Sequence, residues 1–100
     1  MSTKIKVAEL PEFDPAPYLD SEEAIAAYLT DIMEADDAGL LASALGDLAR
    51  AQGMTVIAKR AGITREALYK ALRPDSAPRL DTVIRVCKAM GVRLEAKAIH

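Results

Sequence analysis

The chain has 100 residues, of which 51% are hydrophobic and 28% charged, which suffices for one compact domain but not for two of ordinary size. The single cysteine, Cys87, and the single histidine, His100, exclude a disulfide framework and a cysteine/histidine zinc site within one chain. The net charge of -2 divides into -9 for residues 1–49 and +7 for residues 50–100, so only the second half suits DNA.

No stretch approaches the roughly 20 apolar residues of a membrane span, and no basic-then-apolar signal peptide opens the chain. We therefore expect a soluble, cytoplasmic protein with no membrane partner. The sequence also has no cofactor loop, catalytic pair or metal cluster, so we expect no enzyme activity and no cofactor.

Residues 1–19 are predicted to form an extended N-terminal arm. Apolar and charged side chains alternate loosely over residues 4–10, and the three prolines between Pro11 and Pro17 exclude a helix.

Residues 20–98 are predicted to form one all-α domain, a bundle of five helices. Apolar residues recur there at helical spacing, and glycines, prolines or capping residues separate the periodic segments. The predicted helices cover residues 21–35, 38–52, 55–62, 64–73 and 80–91.

Polar residues at the predicted helix starts can accept hydrogen bonds from the first backbone amides. The expected caps are, in chain order, Asp20, then Asp36 or Asp37, then Thr55 and Thr64. Gly53 and Gly62 each follow a helix and can adopt the left-handed conformation that ends it.

The last helix should bury one apolar stripe, and the residues after it alternate with the period of a strand. Val92 to Ala96 are predicted to form a short, half-exposed edge strand. An edge strand could pair with a second copy or a partner, or with residues 4–8 of the same chain. The expected buried stripe is Leu80, Val83, Ile84, Cys87 and Met90.

Residues 54–73 fit a helix-turn-helix at each position that this motif restricts. Ala58 is small where the two helices would cross, and Gly62 can take the positive φ of the tight turn. Ile63 would fill the gap under that turn, while Leu68 and Leu72 face the core.

With Leu68 and Leu72 buried, the opposite side of the second helix is exposed, and this side would meet the major groove of DNA. Arginine can donate a bidentate pair to guanine, and glutamate can accept from cytosine. The predicted base-contacting residues are Arg65, Glu66, Tyr69, Lys70 and Arg73.

Basic and hydroxyl residues around this helix are better placed for backbone phosphates. We predict that role for Thr55, Lys59, Arg60 and Arg79, and Thr64 completes the predicted DNA-binding set. The alternative is that the helix pair is an ordinary part of a bundle and that its basic face is simply solvated.

The N-terminal half carries an acidic run, and two interpretations remain open. It is either a solvated helix face or a surface for a basic partner protein, whose association it would accelerate. The run comprises Glu22, Glu23, Asp31, Glu34, Asp36 and Asp37.

Several segments resemble the HigA-type antitoxins, the family of probable addiction-module antidote proteins. Two blocks, residues 13–15 together with 18–23 and residues 42–51, are not generic to helix-turn-helix proteins and are therefore the specific part of the resemblance. The segments are residues 13–15 (Phe-Asp-Pro), 18–23 (Tyr-Leu-Asp-Ser-Glu-Glu), 25–29 (Ile-Ala-Ala-Tyr-Leu), 42–51, 66–72 (Glu-Ala-Leu-Tyr-Lys-Ala-Leu) and 81–83 (Asp-Thr-Val).

The resemblance implies a Cro/repressor-like (XRE-type) helical fold, a partner toxin of the RelE/ParE type, and repression of the shared operon. A two-fold operator would further require a homodimer. Phe13, Tyr18 and Leu19 are candidate toxin anchors, although they could equally staple the arm onto the first helix. A free-standing repressor without a toxin is the alternative function.

Overall fold

Five helices account for most of the residues that the structure, a computed structural model, describes, namely 21–74 and 76–99. The predicted all-α class and the number of helices are confirmed for this part of the chain. The predicted arm over residues 1–19 lies outside the described residues, as does His100. The helices are α1 (Glu22–Met33), α2 (Ala38–Gln52), α3 (Met54–Ala61), α4 (Arg65–Ala71) and α5 (Leu80–Ala89).

Three helices begin at a side chain that accepts a hydrogen bond from the backbone amide three residues further on. The caps are Ser21 for α1 (3.1 Å), Asp37 for α2 (3.1 Å) and Thr64 for α4 (3.0 Å). The expectation that Asp20 caps the first helix is therefore wrong, because Ser21 occupies the cap position with extended backbone.

Thr55 is not a cap either, because α3 begins one residue earlier, at Met54, and directly follows Gly53. Gly53 is the single residue between α2 and α3. Its backbone, with φ +103° and ψ +111°, forms the whole connection between the two helices. Gly62 has φ +75° and ψ +28°, the left-handed conformation predicted for the end of α3.

The core forms around α3, which packs against α2, α4 and α5, while α1 packs against α2. Among the described residues no polar or charged residue is buried. Burial raises the pKa of the Cys87 thiol to about 11, as expected of a cysteine that serves as a small apolar core residue. The largest fully buried side chains are Leu45, Leu48, Ile57, Leu68, Val86 and Cys87.

The stripe predicted for α5 is correct at Val83, Cys87 and Met90 and wrong at two residues. Leu80 is 68% exposed and Ile84 37% exposed. Leu80 is the first residue of the helix and no described element covers it, whereas Ile84 lies about 100° around the helix from Val83. Val86 and Ala89 are buried in addition.

No strand forms over residues 92–96, so the predicted edge strand is wrong for the described part of the chain. The alternation instead places Val92 and Leu94 partly against the helical core, with Arg93 and Glu95 exposed and paired at 3.5 Å. The Val92 amide donates to the carbonyl of Cys87 at 2.9 Å, which closes the turn at the end of α5. The alternation of apolar and charged residues in this segment therefore reflects its half-buried position against the helices, and not pairing in a sheet.

Two glycines of α2, seven residues apart on one helix face, let the backbone after α4 approach closely. A Cβ atom added at Gly39 would lie 2.9 Å from the carbonyl oxygen of Pro74, and one at Gly46 would lie 3.2 Å from that of Leu72. Both neighbours are backbone atoms, which cannot rotate away as a side chain can. The end of α4 is thus held directly on α2.

This approach predicts that Gly39→Ala destabilises the protein, although alanine is the better helix former by about 1 kcal/mol. The new methyl group must displace the Pro74 backbone, and overpacking of this kind typically costs about 1–3 kcal/mol. Urea unfolding followed by circular dichroism measures the difference. A variant more stable than the wild-type protein would show that there is room for a methyl group between Gly39 and the Pro74 backbone.

Candidate nucleic-acid interface

A three-residue turn joins α3 to α4, and hydrogen bonds back into α3 close it. The Gly62 amide donates to the carbonyl of Lys59 at 3.2 Å, and the Ile63 amide donates to that of Ala58 at 3.0 Å. Ala58 is 3% exposed, and Ile63 packs partly buried against the core. These residues occupy the places that the sequence predicted for them.

Leu68 and Leu72 fix which side of α4 faces solvent, because they are only 0% and 3% exposed. The opposite side is accessible and carries three positive charges and one negative charge. We call it the exposed face of α4, and it consists of Arg65, Glu66, Tyr69 and Lys70 together with Arg73, two residues beyond the end of the helix, all of them exposed.

Arg65 and Tyr69 are organised together on this face. The guanidinium carbon of Arg65 lies 5.4 Å from the centroid of the Tyr69 ring, and one of its nitrogens donates to the tyrosine hydroxyl at 3.4 Å. This arrangement restricts the arginine side chain before any ligand binds. Glu66, Lys70 and Arg73 form no ion pair with any residue that the structure describes.

The C-terminal end of α4 is held by contacts that the sequence analysis missed. The hydroxyl of Ser76 lies 2.8 Å from the carbonyl oxygens of both Ala71 and Arg73, and Gly39 and Gly46 admit the backbone that follows the helix. The seven-residue spacing of the two glycines was a usable signal, since a helix places such residues on one face. The partner of that face could not be inferred from it.

The predicted phosphate-binding residues fall into two groups. Thr55 is exposed in the first turn of α3, where no side chain caps the helix, and Lys59 is exposed in its last turn. Arg60 instead points toward the end of α5, where it donates to the carbonyl of Ala89 at 3.4 Å. It also lines an open cavity of about 650 Å³ between the start of α1 and the end of α5. The structure therefore separates Arg60 from Thr55 and Lys59.

Arg79 is highly exposed, and its Nε atom donates to the carboxylate of Asp81 at 3.1 Å. This hydrogen bond is the main reason that the pKa of Asp81 is lowered. Exposed ion pairs of this kind contribute little to stability, because water and salt screen them. A phosphate group could therefore replace the carboxylate as the partner of Arg79.

All six residues of the predicted acidic run are exposed, on α1 and in the turn that follows it. The candidate toxin anchors Phe13, Tyr18 and Leu19 lie outside the described residues. Within the described part of the chain no group of histidine, cysteine and acidic residues could hold a metal ion. None of the described helices has the length and apolar content needed to cross a bilayer.

A family model described as "Probable addiction module antidote protein" matches residues 9–98 of the chain. A Haemophilus influenzae protein, described as an uncharacterized protein, is 46% identical over 89 residues, which cover 89% of this chain and 92% of the relative. No solved structure matches the chain.

The Thr64 cap predicts that Thr64→Ala destabilises the protein by about 1 kcal/mol, because the amide of Ala67 loses its partner. Ser21→Ala is a matched control, since it removes an equivalent cap from α1. Both variants should unfold at lower urea concentration. Only Thr64→Ala should accelerate amide hydrogen exchange in α4, and equal exchange there in the two variants would contradict a local role for Thr64.

Proposed function

The chain belongs to the family of probable addiction module antidote proteins, and from this membership we propose that it is a HigA-type antitoxin of a type II toxin-antitoxin module. It neutralises a RelE/ParE-type toxin by direct binding and represses its own operon through an XRE-type helix-turn-helix. The family match over nearly the whole chain is the observation that carries the antitoxin assignment. The exposed face of α4 supports the DNA-binding part.

In this proposal α4 enters the major groove as the recognition helix. Arg65, held by Tyr69, donates to a guanine, and Glu66 accepts from a cytosine on the same face. Lys70 in the last turn of α4 and Arg73 just beyond it contact base edges or phosphates. Phosphate contacts from Thr55, Lys59, Thr64 and Arg79 set the position of the protein on the duplex.

Binding to operator DNA requires two copies of the chain in this proposal. One recognition helix reads only a few base pairs, and a two-fold dimer reads two half-sites about 34 Å apart. The acids of the N-terminal half repel the duplex and so favour the orientation in which α4 faces it.

The toxin-binding part rests on the family and on the charge of the N-terminal half. A toxin that cleaves RNA needs positive charge to hold its substrate, and an acidic antitoxin complements that charge. The aromatic and apolar residues of the arm, Phe13, Tyr18 and Leu19, are the proposed anchors, because desolvated aromatic groups dominate interface energies.

Two arginines should respond differently if α4 is the recognition helix. Arg65→Ala is expected to lose about 1–3 kcal/mol of binding to the operator and to relax specificity at one base pair. Arg79→Ala should weaken binding to all sequences alike and reduce the salt slope by about one. Fluorescence anisotropy with operator and scrambled duplexes at several salt concentrations measures both effects. Identical behaviour of the two variants would refute the division of roles.

The antitoxin assignment predicts that the gene beside this one encodes a basic protein that stops growth when expressed alone. Co-expression of the present chain should restore growth, and the two proteins should purify together. Arg65→Ala should protect cells as well as the wild-type protein does, because its side chain serves DNA and not the toxin. A neighbouring product that neither binds nor inhibits growth would leave a free-standing repressor as the function.

A further inference from the structure

The corner between α1 and α2 exposes apolar side chains. Met33, the last residue of α1, is 41% exposed, and Leu40, in the first turn of α2, is 40% exposed. Within residues 21–49 these are the two large apolar residues that the structure leaves exposed. The other exposed ones belong to α3, α4, α5 and the chain end, while the corner itself adjoins the backbone after α4 through the close approach of Gly39 to Pro74.

Three acids stand between these two apolar residues. Glu34, Asp36 and Asp37 occupy the four-residue turn, and none of them forms an ion pair with a residue that the structure describes. No lysine or arginine occurs anywhere between Lys6 and Arg50. The corner therefore carries two exposed apolar side chains and three acids that have no basic partner among the described residues. We name it the acidic corner: Met33, Glu34, Asp36, Asp37 and Leu40.

The acidic corner is held in one conformation by its backbone. The amides of Ala35 and Asp36 donate to the carbonyls of Ile32 (3.1 Å) and Met33 (3.2 Å). Asp36 adopts φ +56°, a left-handed conformation that aspartate tolerates better than most residues. Asp37 caps α2. A surface ordered in advance loses little conformational entropy when a partner binds.

We infer that the acidic corner is a docking surface for a basic partner protein, the toxin of the proposed module. This inference rests on the proposed function, and it assigns the proposed toxin binding to a surface among the described residues. Met33 and Leu40 would contact an apolar patch on the partner, and the adaptable methionine suits such a contact. Glu34 and Asp36 would face lysines or arginines at its edge and accelerate encounter.

Other occupants fit the acidic corner less well. Nucleic acid is repelled by the same charges that attract a basic protein. A second copy could bring its own basic half to the corner, but such a contact joins two different surfaces. Heterologous contacts that do not close into a ring continue into open chains. A basic partner protein of different sequence complements the acids of the corner and does not lead to open chains.

The test uses the full chain and the product of the neighbouring gene, purified separately and mixed. The double variant Met33→Gln with Leu40→Gln keeps good helix formers of similar length and removes the apolar surface. We expect its Kd for the partner to rise about tenfold or more. Its thermal unfolding and operator binding should match those of the wild-type protein. Ile84, on α5, is 37% exposed. Ile84→Gln is therefore the matched control, and its Kd for the partner should equal that of the wild-type protein.

A second variant tests the charges without touching the core. Glu34→Gln with Asp36→Asn removes two acids, and asparagine also tolerates the left-handed conformation of residue 36. Association with the partner should slow several-fold at low salt and approach the wild-type rate at high salt. This measurement keeps the inference testable if the Leu40 substitution lowers stability.

The outcomes separate the two proposals. If the wild-type chain binds the neighbouring product and both double variants bind equally well, the acidic corner is not the docking surface and the antitoxin assignment stands. If the wild-type chain does not bind it, the antitoxin assignment itself fails. Concentration-dependent self-association that the double variants abolish would identify a second copy as the occupant and overturn the inference.

Discussion

The exposed face of α4 depends on the burial of Leu68 and Leu72, which are 0% and 3% exposed. A helix of seven residues is far below the length at which an isolated helix persists in water. Each buried leucine contributes about 1.5–3 kcal/mol relative to an exposed one, and the Thr64 cap adds about 1 kcal/mol. Packing therefore holds α4 in place and, through helical spacing, determines which of its side chains reach solvent.

The position of α4 is further constrained at both ends, and each constraint has a different physical origin. At its start, the left-handed Gly62 permits a three-residue turn from α3. At its end, Gly39 and Gly46 of α2 admit the following backbone, and the Ser76 hydroxyl meets two of its carbonyl oxygens. The proposed reading of bases by α4 requires such constraints, because hydrogen-bonding groups must be held to within about 0.5 Å of the productive geometry.

Charge segregation gives the molecule two surfaces with opposite preferences, although its net charge is only -2. The acids lie on α1 and in the turn before α2, while the exposed face of α4 carries Arg65, Lys70 and Arg73. A polyanion and a basic protein would each find one favourable surface and one unfavourable surface. The proposed antitoxin function requires that one small domain serve both partners, and this separation supports it.

The sequence by itself determined the local features: the five helices, the Thr64 cap, a cap for α2 at Asp36 or Asp37, the left-handed Gly62 and the buried Leu68 with its exposed neighbours, because periodicity and capping are short-range effects. It misplaced the first cap by one residue and named Thr55 as a further cap, and it predicted burial for Leu80 and Ile84 and a strand for Val92 to Ala96. Only the tertiary structure decided the exposure of Leu80 and Ile84 and the conformation of Val92 to Ala96, together with the contact of Arg60 with α5 and the close approach at Gly39. Each depends on which distant element covers a face, and helical or alternating periodicity in one segment carries no information about its neighbour.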